Sequence, residues 1–86
     1  MANQRTIKGL RSIPLDDRQR TLLVQRRHEL GLTQQQLADK LGCLQLSVSN
    51  LETGKHDPTP AMLEKLCKAL GLEYDVSVYV YLRPKK

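Results

Sequence analysis

The sequence predicts a mostly α domain of four to five short helices, followed by one C-terminal β-strand. Three observations predict it. Apolar residues recur at helical spacing in successive stretches between Asp16 and Leu70. Glycines punctuate those stretches at positions 31, 42, 54 and 71, where helices end or chains turn. Beyond Gly71 the period changes to strict alternation in YDVSVYVYL.

The bounds are narrow. A chain of 86 residues is one domain, and at that size a core is marginal, so dimerisation is a common source of added stability. The chain carries 14 basic and 9 acidic residues, a net charge of +5, and a pI of about 9.5. That balance fits a nucleic-acid binder and equally fits an unrelated basic protein. No apolar run is long enough to span a bilayer, and the first twelve residues lack the apolar stretch of a signal peptide. The expected location is the cytoplasm. Cys43 and Cys67 are far apart and form no C-x-x-C, so they are read as free thiols: Cys67 on a buried helical stripe, Cys43 plugging a turn.

Residues 1–14 form a basic N-terminal arm with Arg5, Lys8 and Arg11. A phosphate-touching arm, a segment that orders on a partner and a disordered terminus all fit it. Pro14 bars a helix from running through it. The helical domain is expected over 15–72. Asp16 or Asp17 can cap the first helix, which runs to about Leu30 with Gly31 after it. Leu23 and Leu30 share a face, with Arg27 between them, and an arginine on an apolar face needs a partner. Arg18, Arg20 and Arg26 are read as solvated surface charges, with phosphate contact as the alternative.

Leu32 to Gly54 is the sharpest stretch. Thr33 and Gln36 make a capping box, and Leu32 and Leu37 stand at the positions of a hydrophobic staple. A helix over about 34–41 is expected, with Ala38 allowing close approach of the next. Gly42-Cys43-Leu44 is a tight turn. A helix over about 45–52 follows, with Val48 and Leu51 inward and Gln45, Leu46, Ser49 and Asn50 outward. That outward face is mostly polar and uncharged, which suits the edges of base pairs in a major groove. Leu44 stands where an N-cap is expected and cannot cap, a loss of about 1 kcal/mol relative to Ser or Thr. Its alternative use is contact with thymine methyls. Glu52 falls on the inner side of the helix and is the natural bidentate partner of Arg27.

Thr53 to Pro58 reads as a loop, with Lys55 well placed for a phosphate and His56 solvated. Thr59 and Pro60 open a helix as N-cap and N1. It runs to Leu70 with Leu63, Leu66, Cys67 and Leu70 on its buried stripe. In 73–83, Tyr74, Val76, Val78, Val80 and Leu82 alternate with polar or aromatic residues as a single strand. A lone strand leaves its backbone groups unpaired, and the same strand of a second copy is the nearest partner. Residues 84–86 are a basic tail whose charges oppose runaway pairing.

From Arg27 to Leu72 the sequence resembles the helix-turn-helix domains of the phage Cro and repressor class, the XRE family. The matching pieces are ELGLTQQQLADKLG, QLSVSNLETGK and the PT…LEKLCKALGL helix. The resemblance implies a lambda-repressor-like fold. It implies that Gln34 bonds a phosphate, that Ser47 lies near the backbone, and that Gln45, Leu46, Ser49 and Asn50 face bases. It also implies a buried Arg27–Glu52 pair. Leu44, Leu46 and the missing final helix depart from the commonest pattern. Helices followed by a strand look like HipB-type antitoxins, whose recognition helix QLSVSNLE also resembles. That resemblance implies an autoregulating repressor that binds a HipA-like kinase toxin; the alternative is a stand-alone phage- or plasmid-type repressor with no toxin partner. Either is expected to be a homodimer on palindromic double-stranded operator DNA. No Ser/His/Asp or Cys/His arrangement, metal cluster or phosphate-binding glycine loop points to an enzyme, a metal or another cofactor.

Overall fold

The computed structural model describes residues 12–76 and 80–84. They form α1 (Asp17–Glu29), α2 (Gln34–Leu41), α3 (Gln45–Thr53) and α4 (Pro60–Leu70), then strands β1 (Leu72–Val76) and β2 (Val80–Pro84).

The helix starts follow from local chemistry. Asp16 caps α1 by accepting from the N–H of Gln19, whose side chain returns to the Asp16 N–H. Thr33 and Gln36 make the same reciprocal box on α2. Thr59 caps α4, with Pro60 at the first helical position. Each such cap contributes about 1 kcal/mol. Leu44 makes no side-chain cap for α3. Gly42 ends α2 in the left-handed region at φ 72°, and the turn that it opens is closed by the Cys43 N–H on the Ala38 carbonyl at 3.0 Å.

None of these helices is long enough to stand alone, so the apolar stripes must meet. With no Phe or Trp in the chain, the core is aliphatic. Leu23 of α1, Leu37 and Leu41 of α2, Val48 and Leu51 of α3 and Leu63, Leu66 and Leu70 of α4 are buried together. Each buried leucine contributes about 1.5–3 kcal/mol. Ala38 of α2 is fully buried, and α2 and α3 pack against each other.

Four expectations are corrected. First, residues 12–14 belong to the domain rather than to an arm. Ile13 is fully buried, and its N–H donates to the Pro58 carbonyl at 2.7 Å. An apolar side chain within reach of an open core edge buries itself. Residues 1–11 lie outside the described residues. Second, Leu30 is 43 % exposed; it is the C-cap of α1, where the chain has already left the helical stripe. Third, Arg20 is not solvated but buried.

Fourth, the tail is a hairpin, not one strand. β1 and β2 pair antiparallel within the chain, Tyr74 opposite Leu82 and Val76 opposite Val80; Val78, Lys85 and Lys86 lie outside the described residues. The physical reason is loop closure. A strand needs a partner, and one that is a few residues away along the chain costs far less entropy than one on another molecule. The hairpin lies against α4, and β2 also approaches α1. The two-fold strand pairing expected from a lone strand is therefore not required by its backbone.

Candidate nucleic-acid interface

The turn-and-helix unit α2–α3 presents the candidate site. Its outer surface carries two large apolar side chains: Leu44 is 73 % and Leu46 63 % exposed, so neither serves the core. Gln45 beside them is exposed, and Ser47, Ser49 and Asn50 are half-buried on the same helix. Val48 and Leu51 hold the opposite face of α3 on the core.

Behind this face runs a chain of hydrogen bonds. The Arg27 guanidinium grips Glu52 through Nε–Oε2 at 2.6 Å and Nη2–Oε1 at 3.1 Å. Its Nη1 donates to the Leu32 carbonyl at 2.9 Å. Both side chains are less than a tenth exposed, so each charge depends on the other. Gln34 donates from Nε2 to Glu52 Oε1 at 2.8 Å, and its own Oε1 accepts from Gln45 Nε2 at 2.7 Å. The amide of Gln45, at the first position of α3, is thereby oriented by a relay that starts in the core.

The far end of α3 is held differently. The Asn50 carbonyl accepts from the N–H groups of Gly54, Lys55 and His56 at 3.1, 3.0 and 3.3 Å. Gly54 takes φ 90°, which only glycine adopts without strain. The Asn50 side-chain nitrogen lies 3.3 Å from His56 Nδ1. Thr53 donates its hydroxyl proton to the Ser49 carbonyl at 2.9 Å. Lys55 is exposed in the loop.

The residues read from the sequence thus fall into three groups. Arg27, Glu52, Gln34 and Gln45 are brought together. Leu44, Leu46, Ser47, Ser49 and Asn50 share the short helix and its first flank. Lys55 lies past its end, and Tyr74, Val76, Val80 and Leu82 of the tail are on the hairpin rather than at this site.

Two arginines read as surface charges are instead engaged by the fold. Arg20 donates to the Leu51 and His56 carbonyls and pairs with Asp57, and Arg26 donates from Nε to the Leu70 carbonyl at 3.0 Å while pairing with Glu29. A signal for Arg20 existed: it stands three residues before Leu23 and seven before Arg27, on their stripe. The Cys67 thiol is pushed up from 9.0 to about 11 by burial, with the Glu64 charge adding, so it stays protonated as a small core residue. Cys43 is free and half-buried in the turn.

With this geometry in place, comparison with known proteins is decisive about lineage. The helix-turn-helix family matches residues 23–76, from the middle of α1 to the end of β1. The chain belongs to the XRE-type helix-turn-helix family. It carries that family's helix-turn-helix DNA-binding domain, which includes α2 and α3. Over 61 residues the chain is 34 % identical to an uncharacterized HTH-type transcriptional regulator of Methanothermobacter thermautotrophicus, covering 71 % of this chain and 88 % of the relative. It is 40 % identical over 48 residues to the uncharacterized HTH-type transcriptional regulator y4dJ of Sinorhizobium fredii, covering 56 % of this chain and 62 % of that relative. No solved structure matches significantly. Among the described residues, no helix is long and apolar enough to cross a membrane.

Proposed function

We propose that this protein is a sequence-specific transcriptional repressor that binds palindromic operator DNA as a homodimer. The observation that carries the reading is the Arg27–Glu52–Gln34–Gln45 relay. It spends a buried ion pair on fixing the amide at the tip of the recognition helix. An amide fixed in that way is ready to bond a base edge without first being ordered. Both curated relatives carry the name of transcriptional regulators, which supports the same role.

In this reading Gln45, Ser49 and Asn50 read bases, and Leu44 and Leu46 lie against thymine methyls. Gln34, Ser47 and Lys55 hold phosphates. Two recognition helices enter successive major grooves roughly 34 Å apart and block polymerase passively. No arginine stands on the exposed face of α3, so bidentate guanine readout from it is absent, and A·T pairs are favoured at the centre of the half-site. Selection from random duplexes tests this directly. An A·T-centred half-site is expected; a G·C core sinks the base assignments.

The two-fold contact is assigned to the hairpin. A two-stranded sheet is marginal on its own, and each strand keeps one edge without a strand partner among the described residues. Such an edge pairs readily with a second copy. Truncation after Leu72 should weaken dimerisation and operator affinity together. A truncated chain that stays a tight dimer places the interface elsewhere. A finer reading, a HipB-like antitoxin that also binds a HipA-like kinase toxin, draws support from the recognition segment QLSVSNLE alone now that the tail is a hairpin. Co-purification with the product of the adjacent gene separates it from a stand-alone repressor.

A further inference from the structure

The loop after the recognition helix is held from the core side by a buried cation that base reading does not use. Arg20 is 7 % exposed. Its Nη1 donates to the Leu51 carbonyl, the last core turn of α3, and to the His56 carbonyl at 3.1 Å. Its Nη2 pairs with the Asp57 carboxylate. A Cβ at Gly54 would meet the Arg20 guanidinium stem at 3.6 Å, so the loop lies directly over it. Asp57 also accepts from the Leu15 N–H at 3.3 Å, and Ile13 holds the Pro58 carbonyl. From the other side, the Asn50 carbonyl collects three loop N–H groups. The backbone from 54 to 58 is thus fixed at both faces, with Pro58 fully buried at its end and residues 54–57 exposed.

One side chain of this loop is left exposed with a full positive charge and no ion pair among the described residues: Lys55. We propose that Arg20 is a positioning residue for phosphate recognition, holding the 54–58 loop so that Lys55 meets the DNA backbone beside the recognition helix. This rests on the DNA-binding reading above. Arg20 touches no DNA itself, since its guanidinium is committed to three acceptors. The planar fork is what the site requires: it reaches two carbonyls and a carboxylate at once, which an ammonium cannot do in the same geometry. A lysine on an ordered loop also binds phosphate without the loss of entropy that ordering the loop would impose.

The test uses the full chain and the operator selected above. Arg20→Met, Arg20→Lys, Lys55→Ala and the double variant Arg20→Met with Lys55→Ala are titrated with operator duplex across a salt series. Lys55→Ala should lower the slope of log affinity against log salt by about one per bound chain. Arg20→Met should lower it by a similar amount, Arg20→Lys by an intermediate one, and the double variant no further than Lys55→Ala. Should Arg20→Met fail to fold, Asp57→Ala removes the partner from the exposed side and must also lower the slope. A second readout needs no DNA: the order parameters of the Gly54, Lys55 and His56 amides should fall in the Arg20 variants. Unchanged slopes for Arg20 or for Lys55, losses that add in the double variant, or unchanged loop order overturns the inference. If the wild-type protein binds duplex DNA with no salt dependence, the DNA reading and the phosphate role fall together, and loop order alone then decides whether Arg20 anchors the loop.

Discussion

Arg27 and Arg20 stand seven residues apart on one stripe of α1, and both hold α3 from the core. They do so with different partners. Arg27 meets a carboxylate that is as buried as itself, and Glu52 in turn orients Gln34 and, through it, Gln45. Arg20 meets two main-chain carbonyls and Asp57, whose side chain is 35 % exposed. The first arrangement is side chain to side chain and out of water. The second is anchored in backbone and open at its rim. A buried charge that depends on one side chain is easily orphaned by a substitution. A charge satisfied by carbonyls keeps most of its partners whatever the neighbouring side chains become.

The largest expected effect follows from that difference. Glu52→Ala leaves Arg27 with the Leu32 carbonyl as its remaining acceptor and strips Gln34 of its own. An orphaned buried charge costs about 3–5 kcal/mol. Arg20→Met removes the charge itself and leaves carbonyls unpaired near a loop, at about 1–3 kcal/mol. Chemical denaturation of both variants checks the ranking, and equal losses break it. A double replacement, Arg27→Met with Glu52→Leu, separates stability from reading. It should recover most of the stability lost in Glu52→Ala, because an apolar pair can replace a buried ion pair. Operator affinity should stay low, since Gln34 and Gln45 remain unheld.

The same contrast explains what could be read in the sequence. Arg27 and Glu52 each lie on an apolar stripe, so the demand for a partner is visible in the periodicity. Arg20 lies on that stripe too, but its acceptors are main-chain carbonyls of a loop, which no side-chain pattern records. Capping residues announce α1, α2 and α4 because their chemistry is local. The hairpin is not local in that sense. Between Val76 and Val80 stand Ser77, Val78 and Tyr79, with no glycine, proline or asparagine to mark a reversal, so the alternation reads as one strand. Ile13 was equally hidden, since a short apolar segment before Pro14 has no period to betray its burial.

The two ends of α3 extend the comparison to a smaller effect. Its far end is closed by three N–H groups on one carbonyl, whereas its start has no side-chain cap. Leu44→Ser supplies the missing acceptor and should raise stability by about 1 kcal/mol. If Leu44 lies against a thymine methyl, the same variant should bind operator more weakly. Stability and affinity moving in opposite directions is the signature of a residue kept for recognition. A gain in both returns Leu44 to the status of a plain helix-capping defect.

The smallest effect is the sharpest probe of the two arginines. Asp57→Asn removes a charge but keeps an oxygen that can accept from Arg20, and the two carbonyls remain in place. Because the carboxylate faces solvent, its Coulombic contribution is screened, and exposed pairs of this kind contribute about 0–1 kcal/mol. The variant should therefore unfold within about 1 kcal/mol of the wild type, and the difference should shrink as salt is raised to about 1 M, where the Debye length falls to about 3 Å. Glu52→Gln is the matched control on the buried side, and its cost should persist at the same salt concentration because the pair is largely shielded from solvent. If the Asp57 effect is large and independent of salt, the Arg20 site is as closed as that of Arg27, and the distinction between a backbone-held and a side-chain-held arginine disappears.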